Sequence, residues 1–207
     1  MTIEISAFAN GATIPGENAF CVPADEGHVA MAPNRNPAVR WSNAPAGTKS
    51  FALIVCDPDV PSVGDDVNQE GKTVSRDLPR VDFYHWVLVD ISASCNEIPE
   101  GADSDGITAR GKDVGKTEYG VRGINDYTGW FQGDPDMGGD YGGYDGPCPP
   151  WNDELLHHYH FKVYALDVET LGLSGSFGGA AAVKAMEGHV LADAEWIGTY
   201  TLNPDVK

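Results

Sequence analysis

The sequence alternates between runs of residues typical of β-strands and segments rich in glycine and proline. This alternation restricts the possible fold classes more than any other feature. Three runs are long enough to be core strands: Ser50–Cys56, Asp82–Asp90 and His157–Asp167. The chain of 207 residues contains 25 glycines and 14 prolines, which favour turns and loops between such runs. The pattern predicts a mainly β fold with long loops, built as a single domain over residues 1–207.

The run Ser50–Cys56 is apolar throughout, which is typical of a central strand buried on both faces. Two carboxylates, Asp57 and Asp59, follow it among prolines. At a strand end such side chains can point into a cleft, or they can bond nearby backbone N–H groups in an Asx turn. The residues alone leave both interpretations open.

The run Asp82–Asp90 places a histidine among apolar residues. A period of two divides its side chains between two faces, Phe83, His85, Val87 and Val89 on one and Tyr84, Trp86 and Leu88 on the other. Taken alone, a histidine in this position is more typical of a hydrogen-bonded core residue than of a binding residue.

The stretch Gly146–Asp167 joins a proline-rich turn to a cluster of imidazoles and a phenol, which is the composition of a small polar pocket. Alternation along the strand divides this cluster. His157 and Tyr159 share one face, whereas His158 and His160 share the opposite face. The sequence therefore predicts that His157 and Tyr159 serve one pocket together.

The charge of the chain limits its partners. Lys and Arg total 13 against 31 Asp and Glu, a net charge of −18. Such a field repels nucleic acid and anionic lipid head groups, so we expect no nucleic-acid partner and no stable membrane association. The chain has neither a membrane-spanning run nor an N-terminal signal pattern, so we expect a cytoplasmic location, or a periplasmic one if a signal peptide was removed.

Four scattered cysteines, Cys21, Cys56, Cys95 and Cys148, form no CxxC pair or metal-ligand spacing. We expect reduced and mostly buried thiols, with a disulfide possible if the protein is exported.

The residues from Ile98 to Gly146 are predicted to form one unusually long loop. Its aspartates Asp134, Asp136, Asp140 and Asp145 fall at positions 1, 3, 7 and 12 of an EF-hand-like frame. The frame lacks its bidentate Glu and flanking helices, so a solvated acidic loop is expected rather than a calcium site. Further on, an alanine-rich helix is predicted over 178–194 and a closing strand over 196–202.

Four segments in order carry a resemblance to a known family: DPDVPS at 57–62, FYHWVLVDI at 83–91, YDGPCPP at 144–150 followed by HHYHFKVYALD, and GHVLADAEWIGTY at 188–200. They resemble the phosphatidylethanolamine-binding protein (PEBP) family, in its bacterial Raf-kinase-inhibitor-like branch. The resemblance implies a β-sandwich of a large antiparallel sheet and a smaller sheet, with one or two peripheral helices. It also implies a pocket for phosphate, acetate or a phosphorylated head group. Carried over by position, the pocket residues are Asp57, Asp59, Pro61, His85, Gly146, Pro150, His157 and Tyr159.

This sequence departs from the family pattern in three places. His158 stands where the family usually has an arginine, and the arginine's role could pass to it. The spacing from Pro150 to His157 is one residue longer than usual, with Asn152 where a glycine is expected. The loop over 124–144 is expanded and acidic.

These features predict a binding protein without catalytic activity, cofactor or metal. In this hypothesis His85 and His157 donate N–H groups to an oxyanion, Tyr159 adds a hydroxyl, and Asp57 orients an imidazole. Because a neighbouring carboxylate raises the pKa of a histidine, we expect imidazolium donors and weaker binding as the pH rises. Two alternatives are a metal-dependent or Asp-His hydrolase in the same pocket, and a module that binds and modulates a kinase or another enzyme.

Overall fold

The computed structural model describes residues 1–207 and contains eleven strands, two α-helices and one 3₁₀ turn. In chain order they are β1 (Thr2–Ile5), the 3₁₀ turn (Gly16–Asn18), β2 (Cys21–Pro23), β3 (Val29–Met31), β4 (Val39–Ser42), β5 (Ser50–Pro61), β6 (Arg80–Ser92), β7 (Glu97–Ile98), β8 (Gly115–Lys116), β9 (Val121–Arg122), α1 (Tyr127–Trp130), β10 (His157–Leu166), α2 (Gly179–Ala185) and β11 (Val190–Tyr200).

The strands form one large sheet and two small ones. The large sheet is antiparallel, with six strands in the order β11-β10-β5-β6-β9-β8. A three-stranded sheet has the order β1-β4-β7, and β2 pairs with β3. The predicted mainly β fold, with a large antiparallel sheet, a smaller sheet and two helices, is confirmed.

The main core lies between the large sheet and the three-stranded sheet. It includes Ile5, Val39, Trp41 and Ile98 from the smaller sheet and Leu53, Val55, Trp86, Leu88, Phe161 and Val163 from the larger one. On the other face of the large sheet, α2 covers a smaller cluster of Ala52, Ile54, Val87, Val89, Ala182 and Met186. Strand β5 contributes to both clusters, which explains its unbroken apolar run.

A β-bulge in β6 changes the faces that alternation predicted. Val55 of β5 pairs with Trp86, but the next residue, Cys56, pairs with Tyr84, so His85 is the extra residue. Beyond the bulge Trp86 and Leu88 face the main core, and Val87 and Val89 lie under α2. The predicted grouping of His85 with Val87 and Val89 is therefore wrong.

The predicted C-terminal helix is too long. Helix α2 ends at Ala185, and Gly188 adopts a positive φ of 81° that an L-residue rarely takes. Residues 190–194 belong to β11, where they extend the ladder with β10. Pairing with an open sheet edge gives these backbone groups partners that a lone helical turn lacks. The closing strand is confirmed, and it begins six residues earlier than predicted, at Val190 instead of Trp196.

The long segment before the proline-rich turn is more ordered than a loop, since it contains β8, β9 and α1. Asp145, predicted to be solvated, is fully buried. Its carboxylate accepts hydrogen bonds from Lys112 Nζ (2.7 Å), Asn34 Nδ2 (2.7 Å) and Asn125 Nδ2 (2.8 Å). The expectation of a solvated acidic loop is therefore wrong for this residue, because three non-local partners replace its water.

A disulfide joins Cys21 and Cys148, whose Cα atoms are 4.9 Å apart. Backbone hydrogen bonds from Phe20 N (2.9 Å) and Cys21 N (3.2 Å) to Pro147 O hold the two segments together. The expectation of four reduced thiols is wrong for this pair, because a contact across 127 residues leaves no local pattern. Cys56 and Cys95 are free.

Neither helix has the length and apolar character needed to cross a membrane. No group of three or more His, Cys, Asp or Glu side chains is arranged to hold a metal ion.

Candidate functional site

A cavity of about 330 Å³ lies where β5, β6 and β10 meet the proline-rich turn. Six of the eight residues predicted for the site line it, namely Asp57, Pro61, His85, Pro150, His157 and Tyr159. A wider groove of about 770 Å³ lies beside Trp151. Its lining contains none of the eight, so we place the candidate site in the smaller cavity.

His157 is buried between two carboxylates on one wall of the cavity. Its Nδ1 donates to Asp57 Oδ2 (2.7 Å) and its Nε2 donates to Asp153 Oδ2 (3.2 Å). Burial opposes a charge on this ring, but the hydrogen bonds to Asp153 and Asp57 outweigh it and raise the pKa of His157 to about 9. Both ring N–H groups are used inside the protein. The expectation that His157 donates to an oxyanion is therefore wrong, and the ring positions Asp57 instead.

Sequence reasoning missed two residues that complete this arrangement. Arg80 binds Asp153 through both terminal nitrogens, at 2.5 and 3.0 Å, and also donates to Asp59 O (2.8 Å). Burial raises the pKa of Asp153, but the bonds from His157 and Arg80 outweigh it and keep that pKa below its usual value. The position of Asp153 four residues before His157 was a weak signal; nothing local connected Arg80 to the site.

The wall is close to electrically neutral despite its four charges. The carboxylates of Asp57 and Asp153 are balanced by His157 and Arg80. Each buried charge has a hydrogen-bonded partner, which is the condition for burying it at low cost.

His85 is the only histidine of the cavity with an unused ring nitrogen. Its Nδ1 lies 2.7 Å from the backbone carbonyl of Asp145. A carbonyl oxygen only accepts, so Nδ1 carries the hydrogen. Nε2 is buried and has no hydrogen-bond partner. Because burial lowers the pKa of His85, the ring is neutral and Nε2 holds a lone pair, so His85 is not the imidazolium donor that the sequence predicted.

Aromatic rings fix the orientation of His85. The rings of Tyr127 and Tyr159 meet it edge-on, with centroid distances of 5.6 and 5.1 Å, and Phe83 lies 4.9 Å away. Burial, reinforced by the charge of Asp57, holds the pKa of Tyr159 well above its usual value. Tyr159 therefore keeps its hydroxyl hydrogen, and it lines the cavity together with His157, as the alternation along the strand predicted.

Two predicted residues do not line the cavity. Asp59 Oδ2 accepts from the backbone N–H and from the ring Nδ1 of His158, both at 2.9 Å. Gly146 lies behind the wall, where its carbonyl accepts from the Tyr127 hydroxyl (2.8 Å). A Cβ at Gly146 would lie 2.1 Å from Asn18 O, so only glycine fits there.

The alternation argument is supported, since His158 and His160 are absent from the cavity lining. His158 is paired with Asp59 on the outer side, with 45% of its side chain exposed. The guanidinium that pairs with Asp153 comes from Arg80 in β6. The family's usual arginine position is in β10, where this chain has His158.

The mouth of the cavity is apolar, which the sequence did not reveal. Met31, Val63 and Trp130 line it with exposures of 64%, 50% and 56%. They come from β3, from the segment after β5 and from α1, so no single motif joins them. The Cys21–Cys148 disulfide also forms part of the wall.

Comparison with known proteins agrees with this architecture. The family model for phosphatidylethanolamine-binding protein matches residues 4–201. YbcL of Escherichia coli K12 is 31% identical over 169 residues, covering 82% of this chain and 73% of that protein. A relative from Methanothermobacter thermautotrophicus is 34% identical over 168 residues, covering 81% of this chain and 83% of that protein.

The solved structure of E. coli YbcL, itself a member of the mammalian PEBP family, is similar over nearly the whole chain. It has a TM-score of 0.68 and 26% identity, and the alignment covers 97% of both chains. The chain therefore belongs to the phosphatidylethanolamine-binding protein family, in the branch of the bacterial YbcL-type proteins.

Proposed function

We propose that this protein is a binding protein whose cavity holds the acidic group of a small ligand, such as phosphate, acetate or a phosphorylated head group. The observation that supports it is the buried Nε2 of His85, which lacks a partner in the chain. An unsatisfied buried polar atom costs about 1–3 kcal/mol, and a ligand atom that bonds to Nε2 would recover that cost.

The surroundings of Nε2 suit a small polar group with an apolar remainder. Asp57 and Tyr159 line the same cavity, and the charge of Asp57 is paired with that of His157. Pro61 and Pro150 add rigid apolar contacts, and the cavity opens between exposed apolar side chains. Small-molecule sites commonly combine a few placed polar groups with such a lining.

Isothermal titration calorimetry with inorganic phosphate and with acetate tests the proposal. We expect binding by the wild type and its loss in His85→Ala. His160→Ala is the matched control, since His160 lies on the opposite face of β10 and bonds Glu195. Unchanged binding in His85→Ala, or no binding by the wild type, contradicts the proposal.

The hydrolase alternative gains less support. An Asp-His pair activates water or a nucleophile through the second ring nitrogen of the histidine. In the Asp57–His157 pair that nitrogen is bonded to Asp153 instead. A metal bound at His157 would likewise have to displace one of two carboxylates from the ring.

The Cys21–Cys148 disulfide supports a proposal about the compartment. Disulfides persist mainly in oxidising environments. We infer that the chain works in such a compartment, which favours the periplasmic alternative over the cytoplasmic one. Mass spectrometry after thiol alkylation of protein from its native source should find two modified cysteines; four would contradict the inference.

A further inference from the structure

The free nitrogen of His85 is a hydrogen-bond acceptor, whereas an oxyanion without hydrogen needs a donor. The hydrogen of the neutral ring is on Nδ1, where the Asp145 carbonyl accepts it at 2.7 Å. The remaining nitrogen, Nε2, has a lone pair and no partner. An anion oxygen without hydrogen would bring its own lone pair against that of Nε2, and the contact would be repulsive.

The ring cannot easily exchange its two nitrogens. Asp145 and His85 are bonded twice, since Asp145 N also donates to the His85 carbonyl (3.0 Å). The Asp145 side chain is fully buried and bonded to Lys112, Asn34 and Asn125. The carbonyl that selects the Nδ1–H form therefore has a fixed position.

Every element packed against His85 contributes to the state of this ring. Asp57 on β5 favours a proton on it, as do the carbonyls of Asp145 and Gly146, while burial and the charge of His157 on β10 oppose one. The hydroxyls of Tyr127 and Tyr159 stay protonated because burial raises their pKa. Burial prevails and keeps the pKa of His85 below its usual value. A negative charge placed next to Nε2 would raise the pKa of His85, as the charge of Asp57 does.

We propose, resting on the function proposed above, that the ligand and Nε2 of His85 share a proton, so that the cavity selects oxyacids that carry a hydrogen near neutral pH. Hydrogen phosphate and the singly protonated form of a phosphate monoester belong to this class. Sulfate, and the carboxylate that a carboxylic acid forms near neutral pH, have no hydrogen to donate. They bind only when His85 takes up a proton from solvent.

Hydrogen phosphate and sulfate make a direct test, because at pH 8 both are tetrahedral dianions that differ by one hydrogen. We expect calorimetry at pH 8 to show phosphate binding at least about tenfold more tightly than sulfate. Sulfate binding should strengthen by up to about tenfold for each unit of pH decrease, with uptake of one proton seen by comparing buffers of different ionisation enthalpy. Phosphate binding should show no such uptake.

The variant His85→Gln separates this inference from a simple size effect. Its amide presents an N–H donor without any proton uptake, so the preference for phosphate over sulfate should fall towards one. His160→Gln should keep the wild-type preference. Equal binding of the two ions by the wild type without proton uptake, or an unchanged preference in His85→Gln, overturns the inference. If neither ion binds at any pH, the proposed function itself fails.

Discussion

His85 and Asp145 are joined by two hydrogen bonds that use only the main chain of Asp145: its carbonyl accepts from the His85 ring (2.7 Å) and its N–H donates to the His85 carbonyl (3.0 Å). The aspartate carboxylate faces away from the cavity, into a buried set of donors. Asp145 thus holds His85 through its backbone, while Lys112 and two asparagines hold Asp145. The order of this part of the cavity wall therefore depends on a buried ion pair outside the cavity.

Loss of Lys112 should destabilise the fold strongly. Burial raises the pKa of Asp145, and the charge of Lys112 opposes that effect. In Lys112→Met the carboxylate stays buried without its cation, so we expect a loss of roughly 3–5 kcal/mol in the free energy of unfolding, measured by urea denaturation. Lys72→Met is the control, because its pair with Asp66 is exposed and should contribute less than about 1 kcal/mol. Equal losses in the two variants would contradict this account of Asp145.

Stability should fall between pH 7 and pH 9 because of His157. Its pKa is about 9 in the folded protein and 6.5 as the reference for the unfolded chain. The folded state therefore retains a proton that the unfolded state releases above pH 6.5. The stabilisation is complete below pH 6.5 and is lost as the pH rises through 9; it is on the order of 3 kcal/mol. His85 is neutral in both states over most of this window and contributes little to the slope.

Urea denaturation at several pH values in this range measures the slope. His157→Gln should remove most of it, because the amide does not titrate. A wild-type slope equal to that of the variant would show that His157 is not held as an imidazolium by Asp57 and Asp153.

The disulfide should affect both stability and binding. It closes a separation of 127 residues and lies in the cavity wall. We expect the double variant Cys21→Ser, Cys148→Ser to lose about 2–4 kcal/mol of unfolding free energy and to bind phosphate more weakly, since the turn that carries the Asp145 carbonyl is then less constrained. Cys95→Ser, which removes a free thiol, should change neither quantity. Unchanged phosphate affinity in the double variant would show that the hydrogen bonds to Pro147 hold the turn without the disulfide.

Trp130 should strengthen the binding of ligands that carry an apolar substituent. It lines the cavity mouth and is 56% exposed. At about pH 5, below the second pKa of roughly 6 of a phosphate monoester, phenyl phosphate and inorganic phosphate both carry a hydrogen. If phenyl phosphate buries on the order of 50 Å² of apolar surface at the mouth, it gains about 1 kcal/mol, or roughly fivefold in affinity over inorganic phosphate. Trp130→Ala should remove that gain without weakening inorganic phosphate, whereas Leu191→Ala, exposed outside the cavity, should retain it. If the wild type binds phenyl phosphate and inorganic phosphate equally well, the apolar mouth does not contribute to ligand binding.

Local patterns in the sequence determined the strands and the family. The apolar run of β5 and the alternation of β10 depend on neighbouring residues only, and β10 pairs regularly until Ala165, so its parity correctly placed His157 and Tyr159 on the cavity side. The same rule failed in β6 because a bulge is a property of two paired strands. The motifs also located six residues of the cavity wall.

Tertiary structure alone decided the chemistry of those residues. His157 gained Asp57 and Asp153 as partners and lost its free N–H groups, and Arg80 reached Asp153 across 73 residues. The carbonyl of Asp145, 60 residues from His85, determined which nitrogen of that ring carries the hydrogen. Side-chain identity sets which groups can donate or accept, but the role of each one depends on the atoms that folding brings within hydrogen-bond distance.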